Sequence, residues 1–290
     1  MVSSLGGKVI VVTGATSGIG MAAAEELTRQ GAEVIGVGRS AQRCQAAEQR
    51  LRDLNPVGRA TYCVADLTRQ GEVRKLAETV RGMATAAGRP ALDGLVNNAG
   101  AFTYWLALTC EGFETQWAVN HLAPFLLTLE LLPLLEAAPS ARIVTVSSGS
   151  HRHTNLNWAD IQFRRRYSGL RAYNQTKLAN VLFTVELNRR LGSGSHVRAF
   201  AADPGLVKTD IGCKGTPGLV QWIWERRRAG GISPAEAARG IVFLLSEPSI
   251  QDSRQAYWKH GRSTSPSRQA LDAAAAQRLW AVSAQMCGVA

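Results

Sequence analysis

A glycine-rich turn between a strand and a helix constrains the fold of this chain more than any other feature. The run Lys8–Thr13 (KVIVVT) is rich in β-branched residues, as expected of a strand that is buried on both faces. It leads directly into Thr13–Gly20 (TGATSGIG), and a helical pattern then extends to Gly31. Small residues in such a turn let the backbone approach a phosphate, and the helix N-terminus offers unpaired N–H groups to it. The pattern predicts a βαβ unit that binds a dinucleotide.

Strand-like runs alternate with helical patterns along most of the 290 residues. After the first strand, further strands are predicted at Glu33–Val37, Ala60–Val64, Leu92–Val96, Arg142–Ser147 and Val197–Ala201, with a weaker one at Gln255–Trp258. This alternation predicts an α/β fold, a single Rossmann-type doubly wound parallel sheet of about seven strands with helices on both faces. We expect residues 1–290 to form one domain, with a C-terminal helical tail around Leu271–Met286 that packs back on it.

Two segments interrupt the alternation, and each follows the C-terminal end of a predicted strand. They comprise residues 149–170 and 206–232. Ligands bind at this edge of open α/β sheets, so both segments are predicted to be substrate loops. In the second loop, the apolar and aromatic run Gly218–Trp224 precedes the arginines 226–228. Such a run suits a lid that touches a membrane surface or, equally, an amphipathic helix packed on the core.

The charge balance is strongly basic but does not identify a partner by itself. With 33 Lys and Arg against 22 Asp and Glu, the net charge is +11, which suits nucleic acid, a membrane surface or a phosphorylated cofactor. The arginine triplets at 164–166 and 226–228 lie in no recognisable nucleic-acid motif. We therefore predict a solvated basic face and no nucleic-acid partner.

Metal, disulfide and membrane-spanning roles find little support in the sequence. The five cysteines are scattered, which predicts free thiols in a reducing compartment. His151 and His153 have no acidic or thiol neighbours at ligand spacing, so we expect surface histidines and no metal site. Proline and glutamate interrupt the apolar stretch Leu122–Leu135, and no signal peptide is recognisable. A cytoplasmic protein is expected, with peripheral membrane contact left open.

The end of the second predicted strand indicates which dinucleotide is preferred. Gly36–Ser40 (GVGRS) has no Asp or Glu where an NAD enzyme would bind the ribose 2′-hydroxyl. Arg39 stands there instead, and its guanidinium can bind a 2′-phosphate through charge-assisted hydrogen bonds. The alternative is an ordinary surface arginine. The missing acid favours NADP(H) over NAD(H).

Further motifs follow in a fixed order, and together they resemble the short-chain dehydrogenase/reductase family. They are TGxxxGxG at Thr13–Gly20, Asp66 after the third strand, Asn97–Gly100 (NNAG), Asn120, Ser147–Ser148, Tyr173–Lys177 (YxxxK) and Pro204–Gly205 with Thr209. Three stretches are similar to sequences of the retinol dehydrogenase-like branch of this family. They are Tyr173–Phe183, Gly112–Glu114 and Leu279–Trp280. Two departures from that branch are Thr145, where an asparagine is common, and the expected lack of the N-terminal membrane anchor that many of its members carry.

The resemblance implies a catalytic set and a cofactor-binding set. The catalytic set is Asn120, Ser148, Tyr173 and Lys177. The cofactor set adds to Tyr173 and Lys177 the residues Gly14, Ser17, Gly18, Ile19, Gly20, Arg39, Asp66, Leu67, Asn98, Ala99, Gly100, Pro204, Gly205, Val207 and Thr209. Ser148 is preferred to Ser147 because the family motif places the catalytic serine second. Asn120 resembles the residue that holds a water next to the lysine.

The spacing of Tyr173 and Lys177 explains the chemistry that these residue types could perform. Four residues apart on a helix, they project from one face, and an ammonium near a phenol lowers the phenol pKa. Tyr173 would exchange a proton with the substrate oxygen, and Ser148 would hydrogen-bond the same oxygen. The expected reaction interconverts an alcohol and a lipophilic aldehyde or ketone. The alternative function is that of a non-catalytic relative that binds the cofactor. For the assembly, the sequence leaves open a homo-oligomer and a membrane-associated monomer.

Overall fold

The β-branched runs of the sequence form one parallel sheet with an antiparallel edge. The computed structural model describes residues 5–55, 58–208, 230–251, 253 and 255–289. The strands are β1 Val9–Thr13, β2 Glu33–Gly38, β3 Ala60–Val64, β4 Gly94–Asn97, β5 Ala141–Val146, β6 Val197–Asp203, β7 Tyr257–Lys259 and β8 Arg262–Ser263. The six longest lie where they were predicted, within two or three residues at each end. The weaker seventh is confirmed as β7.

The sheet order places a ligand-binding crevice beside β1. The order is β3-β2-β1-β4-β5-β6-β7-β8, with every neighbouring pair parallel except β7 and β8. The direction of winding reverses between β1 and β4, and dinucleotides bind at such a reversal, outside the carboxyl ends of the strands. The two-residue strand β8 was not predicted, because Arg262 and Ser263 are both exposed and carry no apolar pattern.

Helices cover both faces of the sheet, which confirms the doubly wound architecture. They are α1 Gly18–Arg29, α2 Ala41–Leu54, α3 Gln70–Ala86, α4 Thr115–Trp117, α5 Ala123–Glu136, α6 Gly169–Leu191, α7 Pro234–Ser246 and α8 Ala273–Cys287. One core cluster joins α3, α5, α6 and α8 through residues such as Leu76, Leu126 and Leu182. The other joins α1, α2 and α7 through Leu27 and Ile241.

The most apolar helical segment is a core element. Thr115–Glu136 has the length and the mean hydropathy, 1.5, of a membrane span, but 72% of that window is buried inside the protein. Phe125, Leu126 and Leu131 have no exposed surface. A helix that is enclosed by neighbours on nearly all sides has apolar residues on all its faces, which explains the composition of this segment.

The C-terminal helix α8 packs against α6. Trp280 of α8 stacks on Phe183 of α6 at 5.9 Å between ring centroids. The guanidinium of Arg190 lies 4.2 Å from the centre of the Trp280 ring. Within the described part of the chain, Cys44, Cys63, Cys110 and Cys287 are free thiols, and Cys213 lies outside it.

Candidate active site

The glycine turn after β1 can pack tightly on itself and on the end of β4 because it lacks side chains. Gly14 and Gly18 have φ angles of 67° and 56°, in the left-handed region that glycine adopts without strain. A Cβ at Gly20 would lie 2.3 Å from Nδ2 of Asn98 and 2.4 Å from the carbonyl oxygen of Gly14. A Cβ at Gly14 would lie 3.0 Å from Cα of Ala99. The turn therefore forms a close-fitting cradle.

Hydrogen bonds tie this turn to the end of β4. The hydroxyl of Thr13 accepts from the backbone N–H groups of Asn98 and Ala99, each at 3.0 Å. The amide of Asn98 donates to the carbonyl of Thr13 at 2.9 Å. The structure thus brings the TGxxxGxG and NNAG motifs together, and it leaves the neighbouring Gly100 exposed.

The N-terminus of α1 can hold an anion. Ser17, the residue before the helix, is exposed and makes no side-chain hydrogen bond to the first turn. The first helical N–H groups and the positive end of the helix dipole therefore remain directed at a ligand in the cradle. Ile19, in the first turn of α1, is half-buried against the core cluster of α1 and α7.

Arg39 and Asp66 lie at the ends of β2 and β3, at the same edge of the sheet. Arg39 is exposed, and among the residues that the structure describes no acidic side chain pairs with it. Asp66 accepts hydrogen bonds from the backbone N–H and the hydroxyl of Thr68 at 3.0 and 2.8 Å, which fixes its carboxylate. Leu67 packs partly against the core. Arg39 is therefore free to bind a ligand phosphate.

Tyr173 and Lys177 lie one turn apart on α6, as the spacing predicts. The Nζ atom of Lys177 lies 5.4 Å from the centre of the Tyr173 ring. Nζ donates to the carbonyl oxygen of Val146, the last residue of β5, at 3.0 Å. The ring of Phe102 packs edge-on against Tyr173 at 5.9 Å. The pair is thus held between α6, β5 and the loop after β4.

The two serines that follow β5 have different partners. The hydroxyl of buried Ser147 donates to the carbonyl oxygen of Lys177 at 2.8 Å and so anchors α6. Ser148 is only partly buried, and its hydroxyl oxygen accepts from the N–H of Ser150 at 3.3 Å. The proton of Ser148 is therefore the one that can be donated to a ligand.

Asn120 lies inside the protein, in a π-helical turn, Ala118–Leu122, that separates α4 from α5. Its amide oxygen accepts from the N–H of Ala101 at 2.7 Å. Its amide nitrogen donates to the carbonyl of Ala101 at 2.9 Å and to the hydroxyl of Thr176 at 3.2 Å. Both amide hydrogens are thus used to join α6 to the loop after β4, rather than directed at Lys177.

Burial sets the protonation of the Tyr173 and Lys177 pair. It raises the pKa of Tyr173 to about 12, with the carboxylate of Asp203 adding to the effect. Burial also lowers the pKa of Lys177 to about 8. The expected lowering of the phenol pKa by the ammonium is not found, because burial of the phenol and the nearby Asp203 carboxylate both raise this pKa. At neutral pH Tyr173 is a phenol and has a proton to donate.

The structure adds three residues that the sequence analysis did not select. The carboxylate of Asp203, at the end of β6, accepts from the hydroxyl of Tyr257 at 2.7 Å and from the N–H of Gly205 at 2.9 Å. His151, predicted to be a surface residue, has no exposed surface and contacts Ser148, whereas His153 is exposed. Position at a strand end could have indicated Asp203; nothing local indicates His151 or Tyr257.

The loop after β6 is described only at its base. Pro204 is buried, and Gly205 has a φ of 75°, with its missing Cβ only 2.6 Å from the ring of His260. Val207 forms a parallel bridge with Ile232, which closes the base of the predicted loop 206–232. Thr209, the run Gly218–Trp224 and the arginines 226–228 lie outside the described residues.

Comparison with known proteins identifies the family. Residues 8–217 match the family model described as short chain dehydrogenase, and the chain belongs to this family of oxidoreductases. Within it, the chain falls in the retinol dehydrogenase-like branch. It is 34% identical to retinol dehydrogenase 14 of Homo sapiens, over 98% of this chain and 87% of that protein. It is 35% identical to polyprenol dehydrogenase of Mus musculus, over 97% and 84%.

Solved structures of similar proteins share the fold. A protein of Mycobacterium paratuberculosis, described as putative and uncharacterized, superposes with a TM-score of 0.74 at 36% identity, covering 98% of this chain and 96% of that one. A landomycin C-6 ketoreductase with bound NADP and rabelomycin has a TM-score of 0.68 at 28% identity, covering 90% and 98%. The family membership implies a nicotinamide cofactor, and the cradle beside β1 fits one.

Proposed function

We propose that this protein is an NADP(H)-dependent oxidoreductase that interconverts a lipophilic alcohol and the corresponding aldehyde or ketone, with Tyr173 as the acid/base. The observation that carries the proposal is the position of Tyr173. Its phenol, one turn from Lys177 on α6, lies at the same sheet edge as the glycine cradle and the Ser148 turn. A proton source beside a dinucleotide cradle is what hydride chemistry on a carbonyl requires.

The residues of the chain supply proton transfer and orientation. A bound nicotinamide would supply or accept the hydride. Tyr173, protonated at neutral pH, gives its proton to the substrate oxygen in reduction and takes it back in oxidation. The hydroxyl of Ser148 donates to the same oxygen and stabilises the charge that develops there. Asn120 holds Thr176, and through it this stretch of α6, in place.

NADP(H) is the cofactor that best fits the described residues. Gly14, Gly18 and Gly20 let the backbone approach a pyrophosphate, and Ser17 leaves the helix N-terminus open. Arg39 is exposed at the end of β2, where a 2′-phosphate would lie. The related ketoreductase was solved with NADP. Asp66, Leu67, Asn98, Ala99, Gly100, Pro204, Gly205, Val207 and Thr209 complete the proposed cofactor-binding set.

An exposed apolar surface supports a lipophilic substrate. Trp105 is 67% exposed, and Leu170, at the start of α6, is 50% exposed. Leu106 and Leu108 are exposed next to Trp105 in sequence. Two loops meet at this surface, because the hydroxyls of Thr103 and Tyr167 are 2.8 Å apart. Such an apolar surface on the loop that follows β4 and at the start of α6 suits entry of a lipid-like molecule. It also suits peripheral contact of a cytoplasmic protein with a membrane.

A chain-length series tests the substrate class. We expect kcat/KM for NADPH-dependent reduction to rise along straight-chain and isoprenoid aldehydes, and to rise less in the double variant Trp105→Ala/Leu170→Ala. Leu271→Ala is the matched control, since Leu271 is 61% exposed but belongs to neither loop. Sedimentation with anionic vesicles measures membrane contact in the same proteins. A flat series in the wild type would contradict a lipophilic substrate.

A further inference from the structure

His151 is a buried histidine next to the proposed catalytic serine, and the mechanism above does not use it. It lies in the 3-10 turn Gly149–His153 that follows β5, and none of its surface is exposed. Burying an imidazole is unfavourable unless its ring nitrogens find partners. Both nitrogens of His151 have one.

The hydrogen bonds of His151 determine which nitrogen carries the proton. The backbone N–H of Ser267 can only donate, and it lies 3.0 Å from Nε2, so Nε2 is the acceptor. The proton is therefore on Nδ1, which donates to the carbonyl oxygen of Ser148 at 2.7 Å. Burial lowers the pKa of His151, which keeps the ring neutral and this tautomer in place.

The surroundings leave the ring little freedom. Its centroid lies 4.8 Å from that of Tyr257, whose hydroxyl donates to Asp203. The guanidinium of Arg152 lies 5.7 Å from the centre of the same tyrosine ring. His151 thus links the end of β5 to β7 and, through Ser267, to the segment that precedes α8.

We propose that His151 is the positioning residue for Ser148. The carbonyl of Ser148 accepts from the backbone N–H of His151 at 3.1 Å and from the imidazole at 2.7 Å. The bond from the imidazole, which is the shorter of these two, fixes the orientation of the peptide bond that follows Ser148 and, with it, the position of the reactive hydroxyl. A displacement of this hydroxyl of about 1 Å would weaken its hydrogen bond to the substrate oxygen and reduce the rate up to roughly a hundredfold. The inference rests on the proposed function of Ser148, because a residue that acts through Ser148 matters only if Ser148 acts on the substrate.

Two isosteric variants separate the roles of the two ring nitrogens. His151→Asn can place an N–H donor where Nδ1 lies, whereas His151→Gln can place only the acceptor where Nε2 lies. We expect His151→Gln to lower kcat roughly tenfold with KM for NADPH unchanged, and His151→Asn to retain most of kcat. His196→Gln, at an exposed position just before β6 and outside both predicted substrate loops, is the matched control and should change neither value.

A double-mutant cycle with Ser148→Ala tests whether His151 acts through the serine. Once the hydroxyl is removed, the added change His151→Gln should have no further effect on kcat. An equal loss in both backgrounds would overturn the proposal, as would equal losses for His151→Asn and His151→Gln. Thermal unfolding of every variant shows whether any loss reflects stability. If Ser148→Ala itself retains full kcat, the proposed role of Ser148 fails as well, and this outcome is distinct from an additive cycle.

Discussion

The proposed cofactor end and the proposed catalytic end of the sheet edge are built in different ways. At the proposed cofactor end, backbone shape dominates: Gly14 and Gly20 allow close packing, Gly18 takes up a positive φ, and a helix N-terminus would supply the binding groups. At the catalytic end, side chains from β5, α6, β6 and β7 hold one another, as in the contact of Tyr257 with Asp203. The first end follows from short sequence motifs, whereas the second depends on partners far apart in the chain.

This difference predicts separable losses of function. A change in the cradle should weaken cofactor binding and spare the chemical step, and a change around Tyr173 should do the reverse. A variant that weakens cofactor binding and slows the chemical step to the same extent would show that the two ends are coupled.

The largest effect is expected from Tyr173→Phe. The ring and its packing against Phe102 are kept, and only the proton source is lost, so kcat should fall by about 10² to 10⁴. NADPH binding, measured by fluorescence titration, should stay within about twofold of the wild type because the cradle is untouched. Substantial residual turnover would assign the proton transfer to another group.

The pH dependence should differ between the two reaction directions. Oxidation needs Tyr173 as a phenolate, and its pKa of about 12 means that the phenolate fraction rises with pH throughout the neutral range. We expect kcat/KM for the alcohol to rise roughly tenfold per pH unit between about pH 6 and 8.

Reduction needs the phenol form and should be nearly flat over the same range. Lys177 has a pKa of about 8, so most of this side chain is charged below that pH. The negative charge of the Asp203 carboxylate disfavours the phenolate form of Tyr173. Initial rates in both directions at saturating cofactor provide the measurement. A flat oxidation profile would contradict Tyr173 as the base.

Arg39→Asp should change the choice of cofactor without changing the chemistry. It removes a partner for the 2′-phosphate and adds a repelling charge, so kcat/KM for NADPH should fall by about 10- to 100-fold relative to NADH. Arg43→Asp is a comparison variant at another exposed arginine, in the first turn of α2. An equal effect from both substitutions would show that general charge, not Arg39 itself, attracts NADPH.

Gly20→Ala should produce the smallest effect on rate but a clear effect on binding. The added Cβ would lie 2.3 Å from Nδ2 of Asn98 and 2.4 Å from the carbonyl of Gly14, so the cradle must shift at a cost of about 1 to 3 kcal/mol. KM for NADPH should rise and the melting temperature should fall.

Gly82→Ala is the matched control for this substitution. Gly82 lies inside α3 with nothing within 4 Å of its Cβ position, so the same change should stabilise the helix by up to about 1 kcal/mol. If Gly20→Ala behaved like Gly82→Ala in unfolding and in KM, the close fit of the cradle would be refuted.

Sequence patterns anticipated the parts of the molecule in which local rules decide the outcome. β-branched runs located the strands β1 to β6, and the glycine turn located the crevice, because period, propensity and turn chemistry act over a few residues. They also placed Tyr173 and Lys177 on one helical face. The strand β8 was missed, since a two-residue exposed strand exists only through its pairing with β7.

Tertiary structure decided what surrounds the reactive groups. His151 looked like a surface residue because its partners, Ser148 aside, come from residues 257 and 267, which no local pattern connects to it. The pKa of Tyr173 likewise depends on burial and on Asp203 rather than on the neighbouring lysine alone. The sequence by itself determined the sheet, the crevice and the residue types of the proposed catalytic set. Burial and long-range hydrogen bonds exist only in the folded chain, and they decided the tautomer, the protonation and the orientation of those residues.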